Sequence, residues 1–130
     1  MTGQETSNAA SKPRILIVED EALIALTMED CIRELGYACV GPFSELTAAI
    51  PVAKSEPLDG AIFDIKLDDD VSYELPEILA ARGIPFGFAT GYPRLALDPK
   101  WADRPYMAKP FDLEDVKRML RTLLPIARPS

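Results

Sequence analysis

The sequence contains one apolar run, residues 61–67, that carries a single carboxylate, Asp64, near its end. A second junction of this kind joins the apolar residues 15–18 directly to the acidic residues 19–21. Short apolar runs bounded by turn signals are typical of buried strands in a parallel sheet. Ligands of open α/β sheets bind outside the carboxyl ends of the strands. Both acidic sets are therefore predicted to lie at the functional edge of such a sheet.

Strand signals alternate with helix signals along the chain, which predicts an α/β fold with a five-stranded parallel sheet and right-handed crossovers. The first helix is expected to begin at Asp20 or Glu21 and to end near Gly36, and the last to begin at a capping pair, Asp112 and Asp115. The predicted strands cover residues 14–18, 37–40, 58–65, 85–90 and 106–108, and two further helices cover 44–54 and 72–82.

Prolines and possible caps refine these boundaries. We expect Ser44 to cap the second helix, Pro51 to kink or stop it, and Pro76 to lie in the first turn of the third. Gly41-Pro42 is expected to close the second strand. Pro93, Pro99 and Pro105 predict a fourth helix that is short or missing, with few contacts holding residues 91–104.

The composition of the 130 residues fits one domain, with a polar tail over 1–13, a folded part over 14–125 and a short tail over 126–130. A net charge of −7 disfavours nucleic-acid binding. The sequence has neither a signal peptide nor an apolar run that spans a bilayer, which favours a cytoplasmic protein without membrane contacts. Cys31 and Cys39 fit no metal-ligand spacing and are interpreted as small buried hydrophobic residues.

Three carboxylates, Glu19, Asp20 and Asp64, are predicted to meet at the strand ends. A divalent cation would offset their repulsion, and Mg²⁺ is favoured because it takes oxygen ligands and needs only one or two carboxylates. A solvated acidic loop is the alternative. Asp64 could act as a nucleophile toward phosphorus and form an aspartyl phosphate.

That reaction requires positive charge near the phosphoryl oxygens. Lys109, held by the following Pro110, is the candidate cation, and Thr90 can donate a hydrogen bond from its hydroxyl group. A surface lysine and an ordinary threonine at a strand end are the alternatives. The sequence contains no histidine, so a phosphohistidine donor would have to belong to a partner.

Four motifs together resemble the receiver domain of two-component response regulators over about residues 14–124. They are Val-Glu-Asp-Glu at 18–21, Phe-Asp-Ile-Lys-Leu at 63–67, Ala-Thr-Gly at 89–91 and Lys-Pro-Phe at 109–111. Each is weak alone, but their order at successive strand ends is specific. The resemblance implies the flavodoxin-like strand order 2-1-3-4-5 with helices on both faces of the sheet.

The resemblance also implies a role for each matched residue. Asp64 would be the phosphoacceptor, and Thr90 and Lys109 would hold the phosphoryl group. Mg²⁺ would be bound directly by Asp20 and Asp64, mostly through water by Glu19, and by the backbone carbonyl of Lys66.

Residues 88–92, Phe-Ala-Thr-Gly-Tyr, further resemble the signature of the FATGUY regulators, an alphaproteobacterial subgroup tied to general stress signalling. Its members are often single-domain proteins with an unusual or missing fourth helix. Thr90 would also act as a switch residue, and Tyr106 matches the aromatic residue that moves on activation in many receivers. Typical members of the subgroup lack an aromatic there, so Tyr92 is expected to take part of the switch role.

These features predict a single-domain response regulator rather than an enzyme, catalysing only its own phosphorylation and slow dephosphorylation. Its partners would be a histidine kinase or histidine phosphotransfer protein and a downstream signalling protein. The contact with the partner would use the face of the first and last helices, or residues 91–105.

One alternative is a pseudo-receiver that binds without being phosphorylated. Another is an aspartate-nucleophile phosphatase, against which Lys66 counts because an acid is expected there. A flavodoxin is disfavoured since no phosphate-binding loop follows strand one.

Overall fold

The sheet has the predicted topology in the computed structural model, which describes residues 12–65, 74–91 and 99–125. Its strands run in the order β2-β1-β3-β4-β5, and every neighbouring pair is parallel. The strands are β1 (Arg14–Val18), β2 (Ala38–Phe43), β3 (Gly60–Phe63), β4 (Phe86–Thr90) and β5 (Tyr106–Ala108). The helices of the described ranges are α1 (Ala22–Glu34), α2 (Leu46–Ser55), α3 (Glu74–Ala81) and α4 (Leu113–Leu123).

Helices cover both faces of the sheet, because side chains along a strand alternate between its two sides. In β1, Leu16 and Val18 join one core cluster with residues of α2 and α3, whereas Ile15 and Ile17 join the other with residues of α1 and α4. Cys31 is buried in the second cluster. None of the helices in these ranges is both long and apolar enough to cross a bilayer.

Strand β2 continues through Gly41-Pro42 to Phe43, so the prediction that this pair closes the strand is wrong. Proline is tolerated here because β2 is an edge strand, where a missing backbone donor is harmless. Gly41 has φ 112°, and a Cβ atom at this position would lie 2.8 Å from the carbonyl oxygen of Ile17. The extension lets the Phe43 carbonyl accept a hydrogen bond from the Glu19 backbone N–H at 2.8 Å, which fixes the residue after β1.

Helix α2 begins after Glu45 without a side-chain cap, so the predicted Ser44 cap is wrong. Of the kink or early stop expected at Pro51, the early stop does not occur, because the helix continues to Ser55. The buried face of this helix compensates for the hydrogen bond lost at the proline. At its C-terminal end, the Arg82 guanidinium donates to the Ala53 and Glu56 carbonyls at 2.6 and 2.9 Å. Tertiary contacts therefore replace the local signals that the sequence lacks.

The capping pair of α4 is confirmed. The Asp112 side chain accepts a hydrogen bond from the Asp115 backbone N–H at 2.9 Å, and the Asp115 side chain accepts one from the Asp112 N–H at 3.0 Å. Pro76 lies in the first turn of the described part of α3, as predicted. The predicted start of that helix at Ser72 lies outside the described residues.

Residues 99–104, between β4 and β5, form turns rather than a helix, as the prolines predicted. The expectation of few contacts is wrong for this part. Trp101 is buried with its ring centroid 5.6 Å from that of Phe86, and Lys100 pairs with Glu77 of α3 at 2.6 Å. The guanidinium of Arg104 lies 4.3 Å from the Phe86 centroid. Trp101 therefore packs on the sheet face that α2 and α3 cover.

Candidate functional site

Four predicted site residues lie at the carboxyl ends of neighbouring strands. Glu19 follows β1, Asp64 follows β3, Thr90 ends β4 and Lys109 follows β5. Backbone hydrogen bonds fix this arrangement. The Asp64 backbone N–H donates to the Val18 carbonyl at 3.2 Å, and the Lys109 backbone N–H donates to the Thr90 carbonyl at 3.1 Å. The parallel register thus places residues distant in sequence at one edge of the sheet.

The Lys109 ammonium group is the centre of the site. Its Nζ lies 2.7 Å from Oε1 of Glu19, 3.0 Å from Oδ2 of Asp64 and 3.2 Å from Oε1 of Glu21. The lysine side chain is only 11% exposed. Burial alone would lower the pKa of Lys109, but the hydrogen bonds that its ammonium group donates to Glu19 and Asp64 outweigh burial and raise that pKa. Lys109 therefore stays charged at neutral pH.

Glu19 is the buried carboxylate of the site. Its burial raises its pKa, and the hydrogen bond from Lys109 opposes the shift without cancelling it. Oε2 of Glu19 accepts a hydrogen bond from the Glu21 backbone N–H at 3.1 Å, which leaves Oε1 directed at Lys109. The first turn after β1 therefore fixes the orientation of this carboxylate.

The donor set fits a hard divalent cation. Carboxylate oxygens of Glu19, Asp20 and Glu21 lie within 4.8 Å of one another. Oδ1 of Asp64 is buried and accepts no hydrogen bond from the described residues. Oxygen ligands of this kind are those that Mg²⁺ prefers, and a buried unpaired carboxylate oxygen is costly unless something compensates it.

The structure brings Glu19, Asp64 and Lys109 into direct contact and joins Thr90 to them through the backbone. Thr90 is completely buried, whereas Asp20 is exposed at the rim. Tyr106 lies elsewhere, partly buried against the core cluster that contains Trp101. Lys66 and Tyr92, predicted as a carbonyl ligand and a switch residue, lie outside the described residues.

Glu21 is the site residue that the sequence prediction missed. It directly follows the predicted acidic pair, so its position in the run of three acids was the available signal. Acidic residues at helix starts are common, and the run alone does not show which of them reaches the lysine. The contact with Lys109 spans 88 positions of sequence.

Comparison with solved structures finds related proteins that have the same fold as this chain. SdrG from Sphingomonas melonis Fr1 is 39% identical, with a TM-score of 0.76 over 87% of this chain and 97% of SdrG. The response regulator TrrA from Thermotoga maritima, solved in complex with Mg²⁺-BeF, is 26% identical, with a TM-score of 0.73 over 86% of this chain and 99% of TrrA. The chain belongs to the response regulator receiver family.

Among curated proteins, this receiver is 33% identical to the transcriptional regulatory protein PdtaR of Mycobacterium tuberculosis over 121 residues. The match covers 89% of the receiver and 59% of PdtaR, so the chain spans about three fifths of that relative's length. No family model matches the sequence. By name, TrrA is a response regulator and PdtaR is a transcriptional regulatory protein.

Proposed function

We propose that this receiver accepts a phosphoryl group onto Asp64 from a histidine kinase or histidine phosphotransfer protein, with Mg²⁺ as cofactor. The contact between Lys109 Nζ and Asp64 Oδ2 at 3.0 Å carries the proposal. It holds a cation that stays charged beside the carboxylate that would attack phosphorus. In phosphoryl transfer, such positioning and charge stabilisation supply nearly all of the catalysis.

In the proposed reaction, a carboxylate oxygen of Asp64 attacks the phosphorus of a phosphohistidine. A P–O bond to Asp64 forms as the P–N bond breaks, and the imidazole nitrogen keeps the electron pair and then takes a proton. Lys109 stabilises the charge on the phosphoryl oxygens, and the Thr90 hydroxyl donates a hydrogen bond to one of them. Water later cleaves the acyl phosphate, releasing inorganic phosphate and restoring the Asp64 carboxylate.

The proposed Mg²⁺ ligands are Asp20 and Asp64 directly and Glu19 through water, with the Lys66 carbonyl completing the protein ligands. When bound, the ion neutralises charge on the carboxylates and the phosphoryl oxygens. The observation that supports this assignment is the buried Asp64 oxygen without a hydrogen-bond donor among the described residues. Because TrrA has been solved with Mg²⁺-BeF, a related receiver accommodates this ion.

The proposed phosphodonor docks beside the acidic rim. Leu23 and Leu26 on α1 are 76% and 56% exposed, within seven residues of Glu19 in sequence. Exposed apolar side chains next to a reactive site favour a protein partner over a small-molecule substrate. The net charge of −7 makes nucleic acid an unfavourable partner, so the proposed output is a protein contact.

The proposed downstream surface includes the groove of about 440 Å³ between β5 and α4, which Tyr106 lines together with Met107 and Met119. Thr90, Tyr106 and Tyr92 remain the proposed switch residues. Residues 88–92 support a place in general stress signalling through their resemblance to the FATGUY regulators. We also propose a cytoplasmic location, and a division of the chain into a domain over residues 14–125 with tails over 1–13 and 126–130.

The test is phosphorylation by acetyl phosphate with Mg²⁺, followed by intact mass measurement. Wild type should gain one phosphoryl group, and Asp64→Asn should gain none. Asp103→Asn is the matched control, because Asp103 is exposed in the turn before β5. A phosphoryl group retained by Asp64→Asn would overturn the assignment. An unmodified wild type, even with kinases from its own genome, would favour the pseudo-receiver instead.

A further inference from the structure

All three N–H donors of the Lys109 ammonium group are engaged by carboxylates. An ammonium group carries three N–H donors, and three carboxylates lie within hydrogen-bonding or ion-pairing distance of Nζ. Stabilising a phosphoryl oxygen therefore requires that Lys109 releases one of its present partners. The identity of that partner affects how fast the site accepts a phosphoryl group.

The three contacts differ in what their release would cost. The Glu19 contact is the shortest, and the Glu19 side chain is only 3% exposed, so breaking it would leave a buried charge unpaired. Asp64 is the attacking carboxylate. In a loose transition state its bond to phosphorus is little formed, so it keeps most of its charge and still needs its lysine hydrogen bond. Glu21 has the longest contact, 3.2 Å, and its side chain is 60% exposed, so water can solvate it on release.

We propose that Glu21 is the exchangeable partner of Lys109 and competes with the phosphoryl group for the lysine during phosphotransfer. This inference rests on the proposed function. Glu21 would act as a positioning residue that slows acceptance of the phosphoryl group. Exposed ion pairs contribute little, so removing the competitor should accelerate phosphorylation by about 1.5- to 5-fold.

Two variants separate the contact from the charge. Glu21→Ala removes both, and the helix should tolerate it since Glu21 precedes α1 without making a side-chain cap. Glu21→Asp keeps the charge but shortens the side chain by one methylene group, which takes its carboxylate out of reach of Nζ. Glu34→Ala is the control, because it removes an equal, exposed charge from the other end of the same helix.

The experiment measures phosphorylation rates with acetyl phosphate and Mg²⁺ by intact mass. Glu21→Ala and Glu21→Asp should both be faster than wild type, and Glu34→Ala should match wild type. An unchanged or slower rate in Glu21→Ala overturns the proposal. Acceleration in Glu21→Ala without acceleration in Glu21→Asp also overturns it, because the effect would then come from net charge near the site.

A second measurement does not depend on phosphorylation. Hydrogen exchange of the Lys109 ammonium protons, followed by ¹⁵N-edited NMR in the absence of donor, should be faster in Glu21→Ala than in wild type. Equal exchange would show that Glu21 does not hold the lysine, which contradicts the inference and leaves the proposed function intact. If wild type takes no phosphoryl group at all, the proposed function fails, and this inference fails with it.

Discussion

Replacing Lys109 by Met tests the charge arrangement of the site most directly. Methionine keeps an unbranched, apolar side chain but removes the ammonium group that contacts Glu19, Asp64 and Glu21. Truncating one partner of a buried ion pair typically costs about 3–5 kcal/mol, because the remaining charge loses its partner. The exposed Glu21 contact adds little to this cost.

Two effects reduce the expected loss. The variant no longer has to desolvate the ammonium group, whose burial opposes its charge. Glu19 can also take up a proton, since its pKa is raised already in wild type. We therefore expect Lys109→Met to lower the free energy of unfolding by about 2–4 kcal/mol at pH 7.5 without Mg²⁺.

The loss should shrink on acidification. A carboxyl group whose pKa is raised in the folded state favours folding below its ordinary pKa, and this contribution is lost as pH rises through the raised value. Without Lys109 the pKa of Glu19 should rise further, so its protonation relieves the penalty as pH falls. Because the pKa of Lys109 is raised, the contribution of the lysine charge to folding stability is lost only in the alkaline range. That contribution stays constant between pH 5 and 7.5.

The assay is urea unfolding followed by circular dichroism at pH 7.5 and pH 5, with Lys54→Met as an exposed control. Lys109→Met should lose markedly less stability at pH 5 than at pH 7.5, and Lys54→Met should stay near wild type at both. An equal loss at both pH values, or a loss below about 1 kcal/mol at pH 7.5, would refute the ion-pair argument.

Other parts of the structure give three further expectations. Asp20→Ala should weaken Mg²⁺ binding at least about tenfold by calorimetry, since losing a proposed direct ligand should cost no less than losing a supporting one, while Asp30→Ala should bind normally. Trp101→Ala should destabilise the fold by about 3–5 kcal/mol in urea unfolding and Trp101→Phe by less, because a buried ring leaves a cavity. A loss below about 1 kcal/mol would show that the turn at 99–104 is not part of the core. Asp112→Ala should cost about 1 kcal/mol by the same assay through the lost helix cap, and an unchanged midpoint would contradict that role.

The sequence by itself determined the features that depend on neighbouring residues. Strands β1 and β5 have their predicted bounds, and the Asp112–Asp115 cap begins α4 as expected. Such features follow from local hydrogen bonding and from the period of apolar residues. The placement of Glu19, Asp64, Thr90 and Lys109 also followed, because parallel strands align their carboxyl ends.

Only the tertiary structure decided which contacts those residues make. Lys109 lies 45 residues from Asp64 and 88 from Glu21, and no local pattern tells which carboxylates a long, flexible side chain will reach. The same reason explains why α2 continues through Pro51 and why the turn around Trp101 is packed against the core. At both places, the free energy of packing against the sheet outweighs the local preference of proline and of a turn-rich segment for irregular, exposed structure. That packing depends on residues far away in sequence.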